Sequence, residues 1–181
     1  GLPLDFVSWH CYSIHPAEGL GHAEIVRGWL ADAGLDPQTP QILTEWALSH
    51  LPNYPARATV EGAAHHLEAL RLFEAAGIHG STAFALQHGG GIDNHGMLTR
   101  APMIELPRAG ALRQLADLPQ VRLPVDASDN AAPRGVYALA TPGGVLVHRY
   151  DPQGPDLVTV EVTGESLSGA RSLGRYAVEF F

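Results

Sequence analysis

Strand-like and helix-like segments alternate three times over residues 1–118, and this alternation is the feature that most constrains the fold. Segments of β-type composition span residues 4–12, 41–46 and 81–86. Segments with apolar residues at helical spacing span residues 22–33, 58–76 and 107–118. Gly34 and Gly77 follow the first two helical segments and suit the position just past a helix end. Such alternation is typical of parallel βαβ units, so the sequence predicts an α/β fold.

Beyond Pro119 the sequence has no helical periodicity. Short β-type runs replace it, at residues 136–140, 145–150, 157–162 and 176–181. The segments between these runs contain Pro-Gly-Gly, Asp-Pro-Gln-Gly and Gly-Glu-Ser, which are turn-forming sequences. We therefore expect two domains: βα units at residues 1–118 and a small all-β, sandwich-like module at residues 119–181.

The first strand favours a barrel over a doubly wound sheet. Three βα units in about 118 residues match the scale of a TIM barrel, in which eight units take about 250 residues. A doubly wound dinucleotide-binding fold usually has G-x-G-x-x-G after a strand, and none follows these three. Ser8, His10 and Tyr12 alternate along one face of the first strand, and a polar inner face suits a barrel mouth. Since three strands cannot close a barrel, we expect part of a (β/α)8 barrel.

Composition argues against two classes of partner. The net charge is −8, all eleven basic residues are Arg, and they form no basic stripe, so we expect no nucleic acid. No apolar run approaches the roughly 18 to 20 residues of a membrane span, and no secretory signal sequence opens the chain at Gly1.

Cys11 is the single cysteine, which excludes an internal disulfide and a Cys-based zinc finger.

Side chains with catalytic chemistry stand where two of the predicted strands end. The first strand closes with His10 and Tyr12, and the second closes with Thr44, Glu45 and Trp46. A retaining glycosidase needs two carboxyl groups about 5 to 5.5 Å apart, one as nucleophile and one as acid/base. Tyr12 can donate to an ionised Glu45, a hydrogen bond worth roughly 1.5 to 3 kcal/mol. The alternative is that Glu45 is merely a solvated residue at a strand end and that His10 and Tyr12 have a structural role.

At these residues the sequence resembles the clan A glycoside hydrolases, and among them family 39 most. The matching segments are Asp-Phe-Val-Ser at residues 5–8, His-Cys-Tyr at residues 10–12 and Thr-Glu-Trp at residues 44–46. The resemblance implies that the chain contains barrel strands six, seven and eight, followed by the beginning of a β-sandwich. It implies the C-terminal part of a retaining, β-xylosidase-like O-glycoside hydrolase, with Glu45 as the nucleophile and no cofactor.

The resemblance also implies a partner that this sequence lacks. Clan A enzymes have an Asn-Glu pair on strand four whose Glu is the acid/base, but Asn53, Asn94 and Asn130 are followed by Tyr, His and Ala. We therefore expect the missing N-terminal barrel half to supply that carboxyl group. The Trp that is common at strand eight is absent too, and Phe84, Gln87 and His88 are the residues available there.

Several residues are candidates for contact with a carbohydrate substrate. His10 can orient the sugar or extend the Tyr12–Glu45 network. Trp46 can offer an aromatic face to a sugar ring, although its alternation with Glu45 argues for packing on the other side of the strand. Polar side chains in the Gly-rich loop after the third strand can bind sugar hydroxyls or simply stabilise the loop; they are Gln87, His88, Asp93, Asn94 and His95.

Two other hypotheses stay open at this point, and a third is discounted. A non-catalytic carbohydrate-binding or scaffold protein with a degenerate barrel is the main alternative. A metal-dependent hydrolase would need ligands that converge at the barrel mouth, namely His10, His88, His95 and Asp93. An esterase oxyanion loop is suggested by His-Gly-Gly-Gly at residues 88–91, but no G-x-S-x-G follows it.

His65 and His66, in the second helix, are predicted to lie on the surface.

Overall fold

The computed structural model describes residues 3–51, 54–86, 96–99, 102–127, 131, 134–164 and 167–181. The helices are α1 Glu18–Asp32, α2 Val60–Ala75 and α3 Pro107–Asp117. The strands are β1 Val7–Tyr12, β2 Gln41–Ala47, β3 Gly80–Ala83, β4 Val136–Thr141, β5 Gly144–Tyr150, β6 Leu157–Thr163, β7 Ser168–Gly174 and β8 Tyr176–Phe180. Within these ranges no helix is long and apolar enough to cross a membrane.

The chain packs as two compact units, and helix α2 contributes to both. The first unit contains residues 1–55 and 69–104, and the second contains residues 56–68 and 105–181. This division differs from the boundary predicted near residue 119, because α3 and the first part of α2 pack with the antiparallel strands.

The first unit contains the predicted parallel βα arrangement. Its sheet has the order β1-β2-β3, and both strand pairs are parallel. Helix α1 connects β1 to β2, and α2 lies between β2 and β3 in the sequence. The three predicted strands and the first two predicted helices are therefore present.

The core of the first unit lies on one face of this sheet. It contains Cys11 from β1, Leu43 and Trp46 from β2, and Ala69 and Phe73 from the second half of α2. The rings of Trp46 and Phe73 meet nearly perpendicularly, with centroids 5.1 Å apart. Edge-to-face pairs of this kind add about 0.5 to 1.5 kcal/mol beyond the burial of their surface.

Two glycines follow the ends of α1 and α2, and a third lies in the first turn of α1. Gly34 and Gly77 have φ angles of 70° and 67°, the left-handed conformation that was expected just past α1 and α2. Helix α1 begins at Glu18, however, four residues before the predicted start. Gly19 has low helix propensity, but its backbone is helical and packs so closely on Phe73 that a Cβ atom would overlap the ring.

The second unit has two antiparallel sheets, one with the order β4-β5-β8 and the other containing β6 and β7. Side chains from both sheets share one core cluster, which contains Val136, Val147, Val158, Leu173 and Ala177. The four predicted strands are present, and β7 is an additional one. Its sequence, Ser-Gly-Ala-Arg-Ser-Leu-Gly, has little intrinsic β-propensity, so its pairing along the whole length of β6 decides its conformation.

Helices α2 and α3 add a second core to this unit. One apolar cluster contains Ala63 and Leu67 of α2, Ala111 of α3, Leu118 just after α3, and Leu146 of β5. The apolar side of α3 is therefore covered by residues of the same unit. This packing places the contact boundary before α3.

A group of buried polar side chains also belongs to the second unit. His65 is 3% exposed and His66 is fully buried, so the prediction that both lie on the surface was wrong. The physical reason is packing by a distant segment: the Tyr150 ring of β5 meets the His65 ring edge to face, with centroids 5.7 Å apart. Nδ1 of His66 donates to the carbonyl oxygen of Gly62 at 2.9 Å. Burial, followed by repulsion from Arg108 and His65, lowers the pKa of His66 well below its ordinary value.

Candidate active site

Two strand ends bring the predicted catalytic side chains together. The Tyr12 hydroxyl, at the end of β1, donates to Oε2 of Glu45 on β2 at 2.7 Å. Nδ1 of His10 lies 3.4 Å from the same oxygen. The Glu45 side chain is 39% exposed and that of His10 is 52% exposed, so both are accessible from solution. Both contacts engage Oε2, so together they fix the orientation of the Glu45 carboxylate.

An irregularity in β2 gives Glu45 its orientation. In the pairing with β1, consecutive residues Trp9 and His10 lie opposite Leu43 and Glu45, so β2 has one extra residue there. The pairing with β3 is irregular over the same stretch of β2. This is the arrangement of a β-bulge, which redirects side chains and is common beside active sites. As a result Leu43 and Trp46, three residues apart, are buried in one cluster, while Glu45 faces His10.

Trp46 does not have the substrate-binding role that was one of its two predicted alternatives. Its side chain is only 2% exposed and packs against Phe73, in the core on the other side of the sheet from the Tyr12–Glu45 contact. A ring in this position cannot stack on a sugar. The second alternative, outward packing opposite Glu45, is the one the structure has.

Residues from β3 and just after it complete the group. The Phe84 ring meets the Tyr12 ring edge to face, with centroids 6.1 Å apart, and the Phe84 amide donates to the Trp46 carbonyl oxygen at 2.8 Å. The peptide bond from Phe84 to Ala85 is cis. The Thr82 hydroxyl donates to the carbonyl oxygen of Thr44. Thr82 is not among the residues predicted for the site, although it shares a strand face with Phe84 by simple alternation.

The face of the parallel sheet that presents Glu45 is polar and open. Ser8, His10, Thr44 and Thr82 are all exposed there. The opposite face packs against α2, and Cys11, Leu43 and Trp46 are buried there. Parallel sheets usually have both faces covered, so a face with this many exposed polar side chains is unusual.

Other predicted site residues lie outside the described part of the chain. They are Gln87, His88, Asp93, Asn94 and His95, and their role in substrate binding stays a prediction. The metal hypothesis combined His10 with three of them. Within the described ranges, no group of three or more His, Cys, Asp or Glu side chains is placed to hold a metal ion.

Solved structures of several glycosidases have a fold similar to that of this chain. No protein-family model matches the sequence, and no curated protein matches it either. A monomeric β-xylosidase from Caulobacter crescentus CB15 superposes with a TM-score of 0.62 at 20% identity, over 84% of this chain and 34% of that one. The family 39 enzyme from Xanthomonas axonopodis pv. citri gives 0.64 at 19% identity, over 85% and 34%.

A glucosidase from Croceicoccus marinus matches with a TM-score of 0.62 at 20% identity, over 96% of this chain and 39% of that one. The chain thus spans between a third and two fifths of the length of these three enzymes. At this low identity, the superpositions show a shared fold and nothing further. The structural neighbours predicted from the sequence, family 39 β-xylosidases, are confirmed, and the chain is a mixed α/β polypeptide that matches their C-terminal part.

Proposed function

We propose that this chain is the nucleophile-bearing part of a retaining O-glycoside hydrolase of the β-xylosidase type. The observation that carries the proposal is the 2.7 Å hydrogen bond from Tyr12 to Glu45 at an open edge of a parallel sheet. A carboxylate held by a phenol and accessible to solute fits a nucleophile. The β-xylosidase and glucosidase names of the structural neighbours point to β-linked xylosides and related glycosides.

The proposed reaction is a double displacement. Oε1 of Glu45 attacks the anomeric carbon while the glycosidic C–O bond breaks, and the departing oxygen takes a proton from the acid/base carboxyl group. Tyr12 holds Oε2 during this step, which fixes the direction of attack. Water activated by the same acid/base group, now ionised, then hydrolyses the glycosyl ester and restores Glu45. His10, 3.4 Å from Oε2, can also contact a hydroxyl of the sugar at this centre.

The acid/base group is proposed to come from polypeptide outside these 181 residues. No Asn-Glu pair occurs in the sequence, and Ser8, His10, Thr44 and Thr82 are exposed on the polar face of the parallel sheet. The N-terminal half of a (β/α)8 barrel would cover this face and place a second carboxyl group opposite Glu45. In this arrangement β1, β2 and β3 are barrel strands six to eight, and the two antiparallel sheets belong to a sandwich-like module.

The proposed sugar contacts include the loop that follows β3. Strand β3 ends at Ala83, at the same sheet edge as Tyr12 and Glu45, because the three strands are parallel. The segment after it is therefore suited to cover the site. Gln87, His88, Asp93, Asn94 and His95 would bind hydroxyl groups of the substrate, and neither a metal nor a cofactor takes part.

The decisive experiment labels the nucleophile in the full-length protein. An aryl 2-deoxy-2-fluoro-β-xyloside should trap a glycosyl ester, and peptide mapping should find it on Glu45. A Glu45→Gly variant given azide should release the glycosyl azide of inverted anomeric configuration, because the small anion fills the place of the missing carboxylate. A label on another residue overturns the assignment. Sugar binding without any hydrolysis by the wild type identifies instead the non-catalytic carbohydrate-binding protein.

A further inference from the structure

Thr82 occupies a special place opposite the irregular part of β2. In the pairing of β2 with β3, Leu43 lies opposite Ser81 and Trp46 lies opposite Ala83. Strand β2 has two residues between these pairs, Thr44 and Glu45, whereas β3 has only Thr82. The regular pairing therefore skips all three. At this point the Thr82 side-chain hydroxyl donates to the carbonyl oxygen of Thr44. A side chain thus supplies a hydrogen bond in the stretch where regular backbone pairing is interrupted.

The position of the extra residue determines where Glu45 points. A shift of one residue in a strand moves side chains to the opposite face of the sheet. Without the extra residue, Leu43 and Glu45 would share one face and Trp46 would take the other. The bulge allows Leu43 and Trp46 to be buried together while Glu45 reaches Tyr12.

The geometry points to Thr82 as a positioning residue: its hydrogen bond to the Thr44 carbonyl holds the β2 bulge that keeps Glu45 within reach of Tyr12. The neighbouring strand adds a weaker support, since Oγ1 of Thr44 lies 3.5 Å from the Trp9 carbonyl oxygen. The effect on hydrolysis rests on the proposed function. The effect on the Tyr12–Glu45 contact does not, so the two can be tested separately.

The contact is tested in the 181-residue chain by NMR of 13C-labelled tyrosine. Glu45→Gln is the reference variant. It replaces the charged acceptor of the Tyr12 hydrogen bond with a neutral amide, which shifts the Cζ resonance of Tyr12. We expect Thr82→Val, which lacks the hydroxyl but keeps the shape, to shift that resonance in the same direction. Thr82→Ser should restore the wild-type position. Thr159→Val is the matched control, because Thr159 is an exposed strand residue in the second unit.

Amide spectra establish that each variant is folded, and Thr82→Ala replaces Thr82→Val if the valine variant does not fold. An unchanged Tyr12 resonance in the folded variant without the hydroxyl overturns the proposal. So does a Thr82→Ser spectrum that resembles Thr82→Val, because the hydroxyl would then not be responsible.

Hydrolysis by the full-length protein gives the second measurement. Misplacement of a nucleophile by a fraction of an ångström lowers kcat, and we expect a loss of about 10-fold in Thr82→Val, with KM nearly unchanged. Thr82→Ser should retain most of the wild-type kcat. A Thr82→Val enzyme with wild-type kcat, or one in which only KM changes, contradicts the positioning role. A wild type that hydrolyses nothing refutes the proposed function, while the NMR result still decides the role of Thr82.

Discussion

Two glutamates of this protein each accept a hydrogen bond from a neighbouring ring, and their surroundings are very different. Glu45 accepts from Tyr12 at 2.7 Å and is 39% exposed. Glu68 accepts from Nε2 of His148 at 3.0 Å, and both of these side chains are about nine-tenths buried. One pair lies at the open edge of the parallel sheet, and the other joins helix α2 to strand β5 in the second unit.

The comparison separates two uses of similar chemistry. The Glu68–His148 pair is closed to solutes, and Tyr137 stacks on His148 with ring centroids 5.5 Å apart. Low local polarity makes such a buried hydrogen bond strong and makes the loss of one partner costly. The Tyr12–Glu45 hydrogen bond is less shielded from water, because the Glu45 side chain is accessible. We infer that Glu68 contributes mainly to stability and Glu45 mainly to function.

The largest expected effect is on folding and comes from Glu68. Glu68→Ala should lower the free energy of unfolding of the chain by about 3 kcal/mol, because a buried partner of His148 is lost. Glu45→Ala is the matched control and should lower it by less than half as much, because Glu45 is accessible and water can replace it as the partner of Tyr12. Urea unfolding monitored by circular dichroism measures both. Equal losses in the two variants would remove the distinction between the pairs.

The two pairs also show what the sequence could predict. The Tyr12–Glu45 contact follows from the parallel order of two strands and from alternation along β1, both of which are visible in the sequence. The bulge in β2 is not visible, because Leu-Thr-Glu-Trp reads as ordinary alternation. Its consequence, the joint burial of Leu43 and Trp46, arises from pairing with β1 and β3 together with packing of α2.

Sequence reasoning failed where long-range packing decides the outcome. His65 and His66 have the polar character of a helix surface, yet segments distant in the sequence bury them. Strand β7 has little β-propensity and depends on pairing with β6. In both cases the local sequence is compatible with another structure, and only contacts from elsewhere in the second unit select the observed one.

A smaller effect is expected at the open pair. Tyr12→Phe removes the hydroxyl that holds Oε2 of Glu45, a hydrogen bond to a charged group worth roughly 1.5 to 3 kcal/mol. We expect kcat for aryl β-xyloside hydrolysis by the full-length protein to fall about 10- to 100-fold. Tyr137→Phe, beside the buried pair, is the control and should leave kcat unchanged. If Tyr137→Phe were the more damaging change to kcat, the functional assignment of the open pair would be wrong.

The smallest expected effect is a pH dependence of stability due to His66, whose burial lowers its pKa well below the ordinary value of 6.5. Below about pH 6.5 the unfolded chain therefore binds a proton that folded His66 does not. The free energy of unfolding should fall with decreasing pH by up to about 1.4 kcal/mol per pH unit from this group, and the effect should vanish above pH 7. His66→Gln should reduce the slope, measured by urea unfolding between pH 5.5 and 7.5. His79→Gln, at an exposed position, should keep the wild-type slope. Equal slopes in wild type and His66→Gln would show that His66 is protonated as readily in the folded chain as in the unfolded one.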